Sequence, residues 1–91
     1  MEVEVKKISP KEILIIVTGE GHTLGNLIAK EAMEHPHVVF ATYRIPHPLQ
    51  DRMEISIIVD ENYNIEKALA EIINNIKRNL EEFRKKIEEV L

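Results

Sequence analysis

The sequence predicts an α+β domain: a four-stranded, mainly antiparallel sheet covered on one face by two helices, in the order β-β-α-β-β-α, with a long C-terminal helix. Three observations carry this. Short β-branched or alternating apolar runs surround Val3 and Val5 and fill residues 12–18, 38–45 and 53–59. An apolar stripe of helical period passes through Leu24, Leu27, Ile28 and Ala32. From residue 64 to residue 91 an uninterrupted helical pattern runs to the end of the chain.

Val3 and Val5 alternate with Glu2, Glu4 and Lys6, as in a strand with one wet face. Ser9-Pro10-Lys11 reads as a turn, and EILIIVT over residues 12–18 reads as a strand at the centre of a sheet, the two forming a hairpin. Gly19-Glu20-Gly21 supplies a sharp turn, after which Thr23 is placed to cap the first helix. Pro36 disfavours helical geometry at His35 and ends that helix. In the third strand the alternation puts Val39, Ala41, Tyr43 and Ile45 on one face and Val38, Phe40, Thr42 and Arg44 on the other. Residues 46–51 form a loop stiffened by Pro46 and Pro48. The fourth strand turns Met53, Ile55, Ile57 and Val59 to one side, and Asn64 caps the last helix.

The chain has 91 residues, enough for one domain spanning 1–91, with no internal repeat or linker. Domains of this size bury only about 60 to 65% of their unfolded surface, so a shared core would help. Its net charge of −4 and its four aromatic residues argue against a phosphate-tracking groove or a base-stacking platform. The absence of cysteine excludes disulfides and thiolate zinc sites. MEVEVKKIS lacks the apolar core of a signal peptide, and no run reaches the roughly 18 apolar residues of a membrane helix, so a cytoplasmic protein is expected. Abundant Ile, Lys and Glu with a single glutamine, Gln50, lean toward a heat-adapted source.

In the last helix Leu69, Ile73, Ile76, Leu80, Phe83, Ile87 and Val90 follow one another at intervals of 4, 3, 4, 3, 4 and 3, the spacing of a heptad seam. A helix over 64–91 is about 42 Å long, whereas a compact domain of this length has a radius of gyration of about 12 Å. The last turns are expected to overhang and to require a partner. Glu81 with Lys85 and Glu82 with Lys86 stand at the favourable spacing of four on a solvated face.

Catalytic and cofactor chemistry finds little support. Gly19, Gly21 and Gly25 miss the spacing of a dinucleotide or P-loop fingerprint, and Glu20 repels an anion. His22, His35, His37 and His47 include no pair at the spacing of a zinc hydrolase. His22 is expected to bond locally at the helix entry and His47 to orient the proline loop. No nucleophile motif surrounds Ser9 or Ser56. No catalytic residue, cofactor or metal is assigned. The competing reading is an independent homo-oligomeric module that binds phosphate or a metal through the glycine turn.

One ordered set of residues carries a resemblance. His22-Thr23-Leu24-Gly25-Asn26, His35-Pro36 followed by Val38, Val39 and Phe40, then Tyr43, then Pro46-His47-Pro48-Leu49 resemble the small assembly subunits of archaeal DNA-directed RNA polymerase, the subunit L family. That family is equivalent to subunit 11 of eukaryotic RNA polymerase II and related to the N-terminal domain of the bacterial alpha subunit. The resemblance extends over essentially the whole chain. It implies a non-catalytic transcription subunit that forms a heterodimer with the D-type subunit of the RNA polymerase, on which the large catalytic subunits assemble. It also implies a partner interface at or beside Leu24, Leu27, Ile28 and Ala32 of the first helix and Ile76, Leu80, Phe83 and Ile87 of the last. Some of these residues must cover the chain's own sheet instead. The absence of a long N-terminal extension favours the archaeal form. Ala29 and Lys30 stand where the bacterial subunit has consecutive arginines, so a bacterial-style contact to a large subunit does not transfer.

Overall fold

The computed structural model describes residues 2–19, 22–46 and 51–91, except for the side chain of His22. The elements are β1 (Glu2–Ser9), β2 (Glu12–Thr18), α1 (His22–Glu34), β3 (Val38–Arg44), β4 (Arg52–Val59) and α2 (Ile65–Val90). All strand pairs are antiparallel and the sheet order is β1-β2-β4-β3. The helix between β2 and β3 carries the chain to the far edge of the sheet. The return strand β4 then fills the gap beside β2.

Both helices cover one face of this sheet. Ile13, Ile15 and Val17 of β2 stand opposite Ile57, Ile55 and Met53 of β4, and these six join Ile28, Ala29 and Ala32 of α1 and Ile65, Ala68, Ile72 and Ile76 of α2 in one core. The inward set predicted for β4 is therefore buried as expected. Ile16 is also buried although it lies on the face without helices, flanked by Glu4 and Glu54 on the neighbouring strands.

Three local expectations change. A bulge between Val38 and Phe40 reverses the face of Val38, which sits opposite Val59 and packs on the core, while Phe40 opposite Ile58 is exposed. One extra residue in an antiparallel pair shifts the alternation by one place, which strict period-two reading cannot anticipate. Thr23 is inside the first turn of α1 rather than at its cap, because the helix already begins at His22. Val3 and Val5 do not form a covered face, since every residue of β1 from Glu2 to Ile8 is exposed.

Asn64 caps α2 as its side chain predicts, accepting hydrogen bonds from the N–H groups of Glu66 and Lys67 at 2.8 and 3.1 Å. Gly19 turns the chain out of β2 with φ of 93°, and its N–H donates to the Asp51 carbonyl at 2.8 Å. The radius of gyration is 14.3 Å and the extents are 46 × 38 × 16 Å, larger than for a compact chain of this length because α2 projects beyond the sheet.

Candidate partner interface

The buried face of α2 is set by Ile65, Ala68, Ile72 and Ile76, at intervals of 3, 4 and 4. Leu80, Phe83, Ile87 and Val90 extend the same face at 4, 3, 4 and 3. Its surroundings change completely: residues 77–91 are all exposed, with Leu80 at 55%, Phe83 at 65% and Val90 at 86% of their full accessible area. A helix stripe that is core in its first half becomes bare once the sheet ends. Residues 80–90 rise about 16 Å, three turns of uncovered helix. Burying such side chains is worth on the order of 1.5 to 3 kcal/mol each.

The structure divides the residues expected at the interface. Ile28, Ala32 and Ile76 belong to the chain's own core, and Leu24 packs partly against it. Leu27, Leu80, Phe83 and Ile87 are exposed. Gly25 is buried because α1 lies close over β4 there: a Cβ at this position would run into the Met53 thioether. Thr23 and Asn26 are exposed, as are Tyr43 and Pro46. His47, Pro48, Leu49, Glu20 and Gly21, with the roles expected of the proline loop and of the end of the glycine turn, lie outside the described residues, as does the local bond expected of the His22 side chain.

His35 has a structural part that sequence reasoning did not assign. The Nδ1 of the buried His35 ring accepts from the His37 N–H at 3.1 Å, which leaves Nε2 to face Glu71 Oε1 on α2, also at 3.1 Å. The Tyr63 hydroxyl donates to the same carboxylate oxygen. His37 stacks on the Tyr63 ring at 4.0 Å and its Nδ1 meets Asp60 Oδ2 at 2.9 Å. Glu31 accepts from Asn79 at 2.9 Å one turn along α1. These bonds clamp the end of α1 to α2 and so fix the direction in which the bare helix leaves the domain. Tyr63 and Glu71 were missed because each lies far from His35 in sequence.

Hydrogen bonds from Tyr63, then His35, hold the Glu71 carboxyl below the usual carboxylate range, and the same Glu71 bond pushes the Tyr63 phenol above its ordinary value. The His37 bond lowers Asp60. An open pocket of about 470 Å³ lies over this cluster, lined by His35, His37, Tyr63, Glu71, Asn75 and Arg78 among others. Each imidazole is already paired with a carboxylate. Among the described residues no three side chains are placed to share a metal ion.

On the outer helix face, Arg84 pairs with Glu81 and with Glu88, the latter at 2.6 Å, rather than the expected lysines dominating. Its guanidinium fork reaches one carboxylate at each end.

Residues 12–86 match the family described as the RNA polymerase Rpb3/Rpb11 dimerisation domain. The chain belongs to this family. It is 37% identical over 90 residues to DNA-directed RNA polymerase subunit Rpo11 of Metallosphaera sedula, with 99% of this chain and 100% of that one covered. It is 40% identical over 79 residues to the probable DNA-directed RNA polymerase II subunit RPB11 of Plasmodium falciparum, covering 82% of this chain and 62% of that one. The crystal structure of DNA-directed RNA polymerase subunit L from Thermoplasma acidophilum superposes with a TM-score of 0.76 at 20% identity, over 98% of this chain and 89% of that one, and has the same fold. The family resemblance in the His22–Leu49 residues is thus matched across the chain, among subunits of a polymerase rather than free-standing enzymes. Among the described residues no helix is long and apolar enough to cross a membrane.

Proposed function

We propose that this chain pairs with the larger Rpb3-type chain of an RNA polymerase, the D-type subunit of the archaeal enzyme, and that the pair is the platform on which the large catalytic subunits assemble. In this reading residues 1–91 act as one dimerisation domain in the cytoplasm. The nucleotide chemistry belongs to other subunits. The observation that carries it is the bare continuation of the α2 core face through Leu80, Phe83, Ile87 and Val90. A family named for dimerisation and a helix face cut off from its own sheet have one economical explanation, which is a second chain supplying the missing cover. Leu27, exposed on α1, borders the same surface in this reading.

Light scattering on the chain alone and mixed with the D-type subunit tests the proposal, with a one-to-one complex as the expected result. Phe83→Asp places a charge in the apolar seam and weakens the pairing by about tenfold or more, since an unpaired buried charge costs well over about 1.4 kcal/mol. A Phe83→Asp chain that keeps its fold and its affinity for the partner removes this residue from the interface. Failure of the unaltered chain to bind the D-type subunit removes the proposal.

A further inference from the structure

The strand β1 is one edge of the sheet, and among the described residues no strand lies beyond it. Every second residue of an edge strand turns its backbone N–H and C=O outward, so β1 offers a row of unfilled donors and acceptors. Proteins blunt such edges with charges and bulges. At the other edge, β3 has a bulge between Val38 and Phe40 and Arg44 as its one charged residue. In β1 the bulge lies at the far end, between Lys7 and Ser9, and the residues from Glu2 to Lys7 run in regular register.

The order of charges in β1 sets it apart. Its acidic residues, Glu2 and Glu4, come first and its lysines, Lys6 and Lys7, come last. Such a strand is complementary to its own reverse. Val3 and Val5 stand opposite the core residues Val17 and Ile15, so they lie on the helix-bearing side of the sheet, while Glu4 and Lys6 lie on the other. Facing residues of an antiparallel pair share one side of the sheet, and a strand paired in this way with its own copy is two-fold by geometry.

These conditions select one register. Centred on Val5, the pair sets each Glu4 against Lys6 of the second copy, and Val5 against Val5. Centred on Glu4 or on Lys6, it sets that charge against itself, and centred on Val3 it sets Glu2 against Glu4 twice. Opposite charges facing each other across a ladder attract and like charges repel, so only the Val5 centre combines two attractive pairs with no repulsive one. In the single chain Glu4 and Lys6 have only each other, two residues apart on the exposed strand at 3.8 Å. Lys7 is tied back to Glu66 on α2 and leaves its own charge inside the domain.

We propose that the free edge of β1 binds a second copy of this chain, strand to strand and antiparallel, with Val5 at the centre and Glu4 facing Lys6 on both sides. The two sheets then join into one of eight strands with all four helices on the same side. This contact does not use the overhang of α2 and is independent of the pairing reading above. One strand pair buries less than a standard interface, so the association is weak and depends on chain concentration.

Light scattering of the unaltered chain over a range of concentrations, with Glu4→Lys and Lys6→Glu alongside, tests the proposal after a thermal melt has shown each variant folded. The unaltered chain dimerises as its concentration rises. Each single variant sets like charges against each other at two places and weakens self-association by about tenfold or more. An equimolar mixture of the two variants restores both opposite-charge pairs and dimerises again. Phe83→Asp leaves the self-association unchanged. The chain has no cysteine, so the register has its own readout. Copper–phenanthroline oxidation links Val5→Cys into a covalent dimer, whereas Val3→Cys, about 13 Å from its copy along the strands, stays unlinked. A chain that is monomeric at every concentration overturns the proposal. So does a dimer that Phe83→Asp dissolves and Glu4→Lys does not, because the helix seam then makes the contact. Failure of the mixed variants to associate, or linkage through Val3→Cys in place of Val5→Cys, overturns it as well.

Discussion

Gly25 shows how one missing methyl group sets the distance between a helix and a sheet. In a helix interior Gly→Ala gains up to about 1 kcal/mol from propensity. Here the added Cβ meets the buried Met53 thioether, and overpacking a closed core costs about 1 to 3 kcal/mol. The clash wins, so Gly25→Ala lowers stability by about 1 to 2 kcal/mol in denaturant unfolding, and Met53→Val in the same chain restores part of the loss. Close packing of α1 on β4 therefore accounts for the glycine of the family motif. Glu71 gives a second prediction at this scale. Its carboxyl is lowered from 4.5 in the folded chain, so its contribution is present above that value and is lost as pH falls through the lowered pKa. Tyr63 is raised from 10.0, and its contribution is present below that value and lost as pH rises through the raised one. Glu71→Gln removes the carboxylate behind both effects. Acid unfolding then becomes less steep, and ultraviolet titration finds the Tyr63 phenol closer to 10.0.

At the scale of elements, α2 consists of two lengths of helix with different needs. The first has a side-chain cap at Asn64, a covered face through Ile76 and polar ties to α1 at Glu71 and Asn79. The second has only its own backbone bonds and the Arg84 ion pairs, and exposed, solvent-screened pairs of this kind contribute little. Removal of residues 80–91 is accordingly expected to leave the melting temperature of the isolated chain within a few degrees of the full chain, while complex formation with the D-type subunit is lost. A truncated chain that unfolds would show that the overhang supports its own domain. The same division explains why the seam was legible before the structure was: amphipathic spacing continues through both halves, and spacing records which face is apolar.

For the whole molecule, the thin shape follows from a two-layer fold whose helix layer outruns its sheet at one end and leaves one sheet edge bare. The core under the two helices is drawn from β2, β4 and, in part, β3, and β1 contributes nothing to it. One apolar surface is left where α2 outruns the strands and another where the helices fail to reach β1. Both lie on the side of the sheet that carries the helices. The opposite face places Arg44 and Arg52 around Glu54, with Arg44 donating at 2.9 and 3.2 Å, and is far more polar. The pairing proposed above, through the helix-bearing side, would leave that face uncovered.

Six elements in order, the inward face of β4, the cap at Asn64, the bare seam of the last helix and the family could all be read without coordinates. Each of these is written in local periodicity, in a capping side chain or in an ordered motif. Which apolar residues were already taken could not be read that way: Ile28, Ala32 and Ile76 are claimed by the chain's own core, whereas Leu27, Leu80, Phe83 and Ile87 are left in water. The bulge that turns Val38 inward, the clamp of His35 on Glu71 and the exposure of β1 likewise emerged only from the folded arrangement. The reason is common to all of them. Periodicity shows that a face is apolar, but what covers the face depends on strand order and on where a helix ends relative to a sheet, and those are set by contacts between residues far apart in the chain.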